Sequence, residues 1–150
     1  ILRCLVGSEM CIRDRLIERA HLVPAREIYA TDTYGDAITM GRENAAFAKT
    51  RINFIHRDFF DFRHEYKFDE IITNMPVRGR MTKEELDHLY TRFFDKVLQI
   101  LQKEAVIIMY TQELGFVKKQ IRLHSQLHLL QETCMQTKTG FYLLVIGVKR

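Results

Sequence analysis

The sequence predicts an α/β fold with a mostly parallel sheet that ends in an antiparallel hairpin. Short apolar runs typical of buried strands alternate along the chain with longer amphipathic segments typical of helices. Helices between successive strands imply parallel neighbours joined by right-handed crossovers. The last two apolar runs are long, and the turn signal Lys138-Thr139-Gly140 between them predicts the hairpin.

The first half of the chain supplies two strand and helix units. Residues 16–22 read as the end of a helix that Pro24 breaks, and residues 27–31 as a buried strand ending at Asp32. A helix is predicted over 35–50, a strand over 53–56 and a loop over 58–63. The apolar stripe that predicts the helix consists of Ala37, Ile38, Met40, Ala45 and Ala48.

The second half continues the alternation. Residues 68–73 form a strand, and Thr82 with Glu85 has the spacing of a capping box that opens a helix to about Leu101. A strand over 105–111, a helix over 113–123 and strands over 127–137 and 141–149 follow. The wide apolar face of the long helix consists of Leu86, Leu89, Tyr90, Phe93, Phe94, Val97, Leu98 and Leu101.

Composition is that of one globular domain. The chain has 150 residues, 47% of them hydrophobic, and no apolar run approaches the roughly 20 residues that span a bilayer. The net charge of +4 permits RNA binding, although a surface with a slight lysine excess explains it equally well. Cys134 is the only cysteine after residue 15, which excludes a disulfide framework and suits a reducing cytoplasm.

The first 15 residues form a segment that we expect to be foreign to the protein. The chain begins with Ile1 rather than Met, so we expect an N-terminally truncated fragment. Residues 9–15 read as the translation of gag atg tgt ata aga gac ag, the end of a transposase-based sequencing adaptor, and residues 5–8 match the adjoining primer site. We therefore predict that 1–15 derive from adaptor and that 16–150 are one catalytic domain. The alternative is a natural strand and helix start.

Polar residues follow three of the predicted strands. Asp32, Asp58 and Asn74 each lie directly after a strand or a few residues beyond it. In open parallel sheets the ligand binds outside the carboxyl ends of the strands, so the fold should gather these side chains at one edge. This convergence predicts a binding site there.

The two acids suit a nucleoside. An acid at the position of Asp32 accepts hydrogen bonds from ribose hydroxyls, while the alternative is that Asp32 or Thr33 caps the next helix. Asp58 can accept a hydrogen bond from an adenine amino group, with Phe59 as a wall of the pocket. The alternative for Asp58 is a loop acid paired with Arg57 or Arg63.

The sequence Asn74-Met75-Pro76-Val77 suits a flat amine. The Asn74 side-chain oxygen and the Met75 carbonyl can both accept hydrogen bonds, and Pro76 stiffens the turn. Such a site can bind an exocyclic NH2 group and direct its nitrogen lone pair at an electrophile, which suggests N-methylation of a base. The alternative is a plain turn, since Asn and Pro are common in turns.

From Leu16 onward the chain resembles the class I S-adenosylmethionine-dependent RNA methyltransferases with a Rossmann-like sheet. It is most similar to the group that methylates guanine N2 in tRNA or rRNA and often carries a THUMP domain. The stretches that carry the resemblance are Ile17-Glu18-Arg19-Ala20, residues 28–32 with Ala37-Ile38 and residues 42–45, Asn53-Phe54 with Asp58-Phe59-Phe60, and Thr73-Asn74-Met75-Pro76 with Gly79.

The resemblance implies the roles of the site residues. Asn74, Met75, Pro76 and Val77 would be catalytic, and S-adenosylmethionine would be held by Asp32, Thr33, Asp58, Phe59 and Asn74. Arg78, Arg80 and Lys83 would contact phosphates of a structured RNA, tRNA or rRNA, without a metal or a membrane. Lys118, Lys119 and Arg122 could join them, but ordinary helix-surface charge is the favoured explanation for those three.

Two departures from the family affect these expectations. The family's first strand and glycine-rich loop should precede Leu16, so we expect this fragment to bind cofactor weakly or not at all. Residues 2–6 can occupy the slot of that strand. Val77 stands where the family usually has Phe or Tyr to stack on the base.

Two further readings remain. The first is a non-catalytic methyltransferase-like domain that binds RNA or a protein, which Val77 and the missing loop favour. The second is a dinucleotide-dependent oxidoreductase, which would use Asp32 but leave Asn74, Met75 and Pro76 without a role. His124 and His128 lack a third ligand in the sequence, so no metal site is predicted.

Overall fold

The computed structural model describes residues 3–7, 27–32, 35–49, 51–76, 78–136 and 140–150, which contain seven strands and three α-helices. The strands are β1 (Arg3–Gly7), β2 (Glu27–Asp32), β3 (Asn53–His56), β4 (Phe68–Asn74), β5 (Leu101–Thr111), β6 (Leu127–Gln136) and β7 (Phe141–Lys149). The helices are α1 (Gly35–Phe47), α2 (Lys83–Ile100) and α3 (Leu114–Leu123), and a short 3-10 helix spans Phe59–Asp61.

All seven strands join one sheet in the order β3-β2-β1-β4-β5-β7-β6. Strands β1 to β5 pair in parallel, while β7 is antiparallel to both β5 and β6. The predicted Rossmann-like sheet with a C-terminal antiparallel hairpin is therefore confirmed. Arg3–Gly7 occupies the central slot between β2 and β4, which is the position of the strand expected to be lost or replaced.

Most element bounds agree with the sequence prediction, and the differences have local causes. The first helix ends at Phe47 rather than at residue 50, because Lys49 takes a φ of 53° that does not continue a helix. Strand β5 begins at Leu101, directly after α2, instead of at 105. The predicted loop over 58–63 contains the 3-10 helix. Residues 16–22, Lys138 and Thr139 lie outside the described residues.

The main core lies between the sheet and helices α2 and α3. Side chains of β4, β5 and β7 that face these helices alternate along each strand with half-buried ones. The predicted apolar face of α2 is buried, with Leu89 and Leu98 partly so. The fully buried side chains include Phe68, Ile71, Leu86, Tyr90, Phe94, Leu101, Ile107, Met109 and Leu144.

The capping box positions the start of α2. The Glu85 N–H donates to Thr82 Oγ1 at 3.1 Å, and the Thr82 N–H donates back to the Glu85 carboxylate at 3.4 Å. These bonds satisfy two backbone donors that a helix N-terminus leaves open. Because the capping box starts α2 at Lys83, only eight residues separate the helix from Asn74, and the turn between them is short.

Helix α1 packs on β2 and β3, and right-handed crossovers place it on the face opposite to α2 and α3. A close approach is possible at Gly41, where a Cβ atom would come within 2.6 Å of Phe54 Cε1. Glycine is therefore required at this contact for the helix to lie close to the ring.

Candidate active site

The sheet register gathers the candidate residues at the carboxyl edge of the parallel strands. Asp32 pairs with His56, Gly7 pairs with both Thr31 and Thr73, and Asn74 follows Thr73. Only β1 separates the strand of Asp32 from the strand of Asn74. Their backbones are therefore about 10 Å apart, from a strand spacing of about 4.8 Å. A ligand of nucleoside size can span this distance.

The turn after β4 is held by the neighbouring strand. The Met75 N–H donates to the Tyr110 carbonyl at 2.9 Å, which extends the β4–β5 ladder one residue beyond Asn74. The Met75 side chain is only 5% exposed, and Thr73 Oγ1 lies 3.9 Å from its sulfur atom. Asn74 and Pro76 are half-buried at the surface edge. The peptide between Asn74 and Met75 is thus held by its N–H bond to β5 and by the buried Met75 side chain.

A tight turn follows this segment. The Met81 N–H donates to the Arg78 carbonyl at 2.8 Å, and Gly79 has a φ of 51°, a left-handed conformation that glycine adopts without strain. Val77 lies outside the described residues, so its place beside the site is a sequence prediction only. The turn leads directly into α2.

The Asp58 carboxylate caps the 3-10 helix that follows β3. Asp58 Oδ1 accepts a hydrogen bond from the Phe60 N–H at 2.8 Å. Among the described residues Asp58 forms no ion pair with Arg57 or Arg63, the alternative partners considered from the sequence. The cap orients the carboxylate at the exposed carboxyl edge of β3, where its second oxygen can serve a ligand.

Phe59 connects this capped segment to the core. Its ring lies 5.5 Å from the ring of Phe93 on α2, and Phe60 carries the Arg92 guanidinium 4.2 Å from its ring centroid. Lys96, also on α2, donates to the Phe62 carbonyl at 2.7 Å. Burial, followed by the nearby Arg63 charge, lowers the pKa of Lys96. The segment is therefore held to α2 at three points.

Replacing Asp58 by alanine is expected to weaken binding of an adenine nucleoside and to loosen the 3-10 helix. Loss of a side-chain cap costs about 1 kcal/mol of stability. Urea denaturation would measure that loss, and calorimetry of the gene product of the source locus with S-adenosylhomocysteine would measure binding. Asp61→Ala is the matched control, because Asp61 lies within the same short helix and is not its cap. Equal affinities of the two variants would contradict a ligand role for Asp58.

The structure describes only part of the remaining cofactor candidates. Asp32 is the last residue of β2, and α1 begins at Gly35, so the backbone of Asp32 is at the sheet edge. Its side chain and all of Thr33 lie outside the described residues. His56, paired with Asp32, places its ring beside Gly35.

The predicted phosphate-binding residues flank the turn. Arg78 and Arg80 are exposed in the turn, and Lys83 is exposed in the first turn of α2. Of the other three cations, Lys119 pairs with Asp87 at 2.9 Å and Lys118 with Glu132 at 3.4 Å. These pairs fit the favoured explanation of helix-surface charge for Lys118 and Lys119.

A surface cavity of about 550 Å³ lies between the N-terminal ends of α2 and α3. Its charged lining is balanced, since three cationic and three acidic side chains contribute to it. These are Lys83, Lys119, Arg122, Glu84, Asp87 and Glu113. The cavity therefore has no strong preference for an anion.

Two residues that the sequence did not single out form a ring stack that begins next to Asn74 and extends away from it to β7. Tyr110 is the register partner of Asn74, and its ring stacks on that of Phe141 with centroids 4.7 Å apart and an interplanar angle of 3°. Both rings are half-buried. Tyr110 stands near the carboxyl end of a predicted strand, and that position was the signal in the sequence that could have identified it as a site residue.

The end of β5 is anchored below these rings. The Tyr90 hydroxyl is hydrogen-bonded to Thr111 Oγ1, which also accepts the Glu113 N–H at 2.9 Å. Burial raises the pKa of the Tyr90 phenol above its ordinary value, so the group stays neutral. This network ties α2 to the point where β5 ends and α3 begins.

Within the described ranges, no group of three or more His, Cys, Asp or Glu residues is placed to hold a metal ion. His124 instead contacts Asp95 at 3.5 Å and the Gln120 carbonyl at 3.0 Å. No helix in the same part of the chain has the length and apolar character needed to cross a membrane.

The sheet order, the crossover helices and the polar turn after β4 define a class I methyltransferase fold. The model of the family UPF0020, described as an RMKL-like methyltransferase domain, matches residues 3–140, and the chain belongs to this family. Among curated proteins, none matches the chain significantly.

Solved structures share the fold at low sequence identity. TrmN from Thermus thermophilus has a TM-score of 0.81 and 23% identity over 99% of this chain and 44% of its own. The tRNA m1G37 methyltransferase of M. jannaschii has a TM-score of 0.73 and 18% identity over 98% and 44%. The ribosomal protein L11 methylase of Lactobacillus delbrueckii subsp. bulgaricus has 0.73 and 18% over 99% and 70%.

The chain thus spans less than half the length of TrmN. The family membership and the fold confirm the resemblance drawn from the sequence. They do not support the oxidoreductase reading, because the matched family and these neighbours are methyltransferases.

Proposed function

We propose that this protein methylates an exocyclic amine of a base in RNA, with guanine N2 of tRNA or rRNA as the target and S-adenosylmethionine as the methyl donor. The observation that carries the proposal is the anchored turn at Asn74. The Met75 N–H bond to the Tyr110 carbonyl holds the backbone from which the Asn74 side chain and the Met75 carbonyl project. The similar fold of the M. jannaschii tRNA m1G37 methyltransferase supports RNA as the substrate class.

The residues at the edge fit the cofactor. The Asp58 carboxylate, which caps the 3-10 helix, suits the amino group of an adenosine, and the Phe59 ring suits its adenine ring. The polar end of β2 at Asp32 suits its ribose. When bound, S-adenosylmethionine supplies an electrophilic methyl group. Thr33 would assist at the ribose.

The chain's own residues orient the acceptor. The Asn74 side-chain oxygen and the Met75 carbonyl accept hydrogen bonds from the two N–H bonds of the amine, which leaves its lone pair directed away from the turn. Pro76 restricts the backbone, and a role for Val77 beside the base is carried over from the family motif alone. Positioning of this kind supplies most of the acceleration, and no strong base is required, because the amine can lose its proton after attack.

Arg78, Arg80 and Lys83 are proposed to contact RNA phosphates beside this turn. They are exposed and lie within the nine residues after Asn74. Phosphate contacts position an RNA without reading its sequence. Cys134 is a free, exposed thiol. Together with the RNA substrate it supports a cytoplasmic location, which is part of the proposal.

Methyl transfer to unmodified tRNA and rRNA transcripts tests the proposal. The gene product of the source locus is incubated with tritiated S-adenosylmethionine, and the RNA is digested to nucleosides for mass spectrometry. We expect N2-methylguanosine. N6-methyladenosine would correct the base, and RNA binding without methyl transfer would favour the non-catalytic domain instead.

The domain boundary remains a proposal of its own. We propose that residues 1–15 are adaptor-derived, although Arg3–Gly7 fills the central strand slot and the family match begins at residue 3. Long-read sequencing of the locus across the codon for Leu16 is expected to give an acidic residue and a Gly-x-Gly turn joined to Leu16. Finding Cys4 to Arg15 encoded as written would contradict this expectation.

A further inference from the structure

The edge of the sheet beside Asn74 carries an aromatic surface without an assigned role. Tyr110 and Asn74 are direct partners in the β4–β5 register, and paired residues project to the same face of a sheet. The half-buried positions of β4 and β5 lie on the face opposite to the α2 and α3 core. The Tyr110 ring and the Asn74 amide are therefore neighbours on one face at one edge.

Phe141 completes this surface. It is the first residue of β7, which runs antiparallel to β5, so its position is at the same carboxyl edge. Leu143, two residues later, is the register partner of Tyr110, and the Phe141 ring reaches the Tyr110 ring diagonally. The rings are parallel within 3° at 4.7 Å. Most other ring pairs of the described residues meet at steep or intermediate angles.

We propose that the Tyr110–Phe141 pair is the surface on which the target base stacks while Asn74 holds its amine. A parallel ring pair with partly exposed faces can be extended by a third planar ring, and any base has such a face. A stacking surface at this place would supply what Val77, an aliphatic residue, supplies poorly. The inference rests on the proposed function, since it names the group that binds the base.

The backbone links this surface to the reacting group. The Tyr110 carbonyl accepts the Met75 N–H at 2.9 Å, so the residue that carries the ring also holds the turn that carries Asn74. Thr111, the next residue of β5, is anchored through its Oγ1 by the Tyr90 hydroxyl and the Glu113 N–H. A base stacked on Tyr110 would therefore have a fixed position relative to the Asn74 amide.

Ultraviolet cross-linking tests the contact without requiring turnover. The gene product of the source locus is irradiated with unmodified tRNA transcripts, digested with trypsin and examined by mass spectrometry for nucleotide-bearing peptides. We expect the cross-link in residues 104–118, which contain Tyr110, or in residues 139–149, which contain Phe141. Residues 43–49, with the 93% exposed Phe47, report non-specific contact.

Kinetics of variants supply the second readout. Tyr110→Ala and Phe141→Ala are expected to lower kcat/KM for tRNA about tenfold, while Tyr110→Phe and Phe141→Tyr, which keep the rings, should retain it. Phe47→Ala is the control for loss of an exposed ring. Affinity for S-adenosylhomocysteine should stay near the wild-type value in all variants, and the urea midpoint should stay near it in Tyr110→Phe and Phe141→Tyr.

The outcomes separate the two proposals. Methylation of tRNA by the wild type, with unchanged kcat/KM in both alanine variants and cross-links only elsewhere, would overturn the stacking surface alone. Cross-links at Tyr110 or Phe141 without methyl transfer would keep the base contact and overturn the enzymatic function. Absence of both cross-links and methyl transfer would overturn both.

Discussion

Replacing Asn74 with alanine is expected to lower kcat for methyl transfer about a hundredfold or more, with little change in the fold. The alanine variant loses the side-chain oxygen that we propose to orient the amine, while the Met75 N–H bond to Tyr110 belongs to the backbone and remains. Because Asn74 is half-buried at the edge rather than in the core, the urea midpoint should move little. Single-turnover rates with tRNA transcripts measure the effect.

Two further variants show whether the loss of kcat comes from the missing side-chain oxygen of Asn74. Asn74→Asp keeps an oxygen acceptor of the same length, so it should retain more activity than Asn74→Ala. Asn44→Ala removes a half-buried asparagine from α1, which packs on β2 and β3, and should leave kcat unchanged. A kcat for Asn74→Ala within twofold of the wild type would rule out the orienting role.

Phe93→Ala is expected to be the most destabilising of the substitutions considered, at about 3–5 kcal/mol. The side chain is 4% exposed, and its ring contacts Phe94 at 5.3 Å and Phe59 at 5.5 Å. Removal leaves a cavity in the core and also frees the segment that Asp58 caps. Urea denaturation measures the first effect, and a raised KM for S-adenosylmethionine would report the second.

Phe47→Ala provides the control for this prediction, since that ring is 93% exposed on α1. A change within about 0.5 kcal/mol is expected there. If Phe93→Ala cost as little as Phe47→Ala, the packing of α2 against the Asp58 segment would be refuted. If it cost stability but left KM unchanged, Phe59 would have no part in cofactor binding.

Local signals in the sequence predicted most of the fold. The alternation of apolar residues in β4, β5 and β7 matches a sheet with one face under α2 and α3, and Thr82 with Glu85 gave the start of α2 within one residue. These features depend on neighbouring residues alone. The convergence of Asp32 and Asn74 followed from the rule that parallel strands share an edge.

The remaining features depend on contacts between distant residues. The stack of Tyr110 on Phe141 needs the register between β5 and β7, which no local pattern specifies. The start of β5 at Leu101 reflects pairing with Phe68, and a register shift between Phe68 and Glu70 accompanies it. The Asp58 bond to the Phe60 N–H turned an expected loop into a helical turn.

The reversed direction of β7 has a practical consequence for handling the protein. Strand β1 starts, and β7 finishes, at the edge of the sheet farthest from Asn74, where the Arg150 N–H donates to the Lys103 carbonyl at 3.1 Å. A fluorophore attached at Lys149, which pairs with Glu104, would therefore lie on the far side of the sheet from a ligand at the Asn74 edge. A label at that position would report binding of the proposed RNA substrate without obstructing the Asn74 edge.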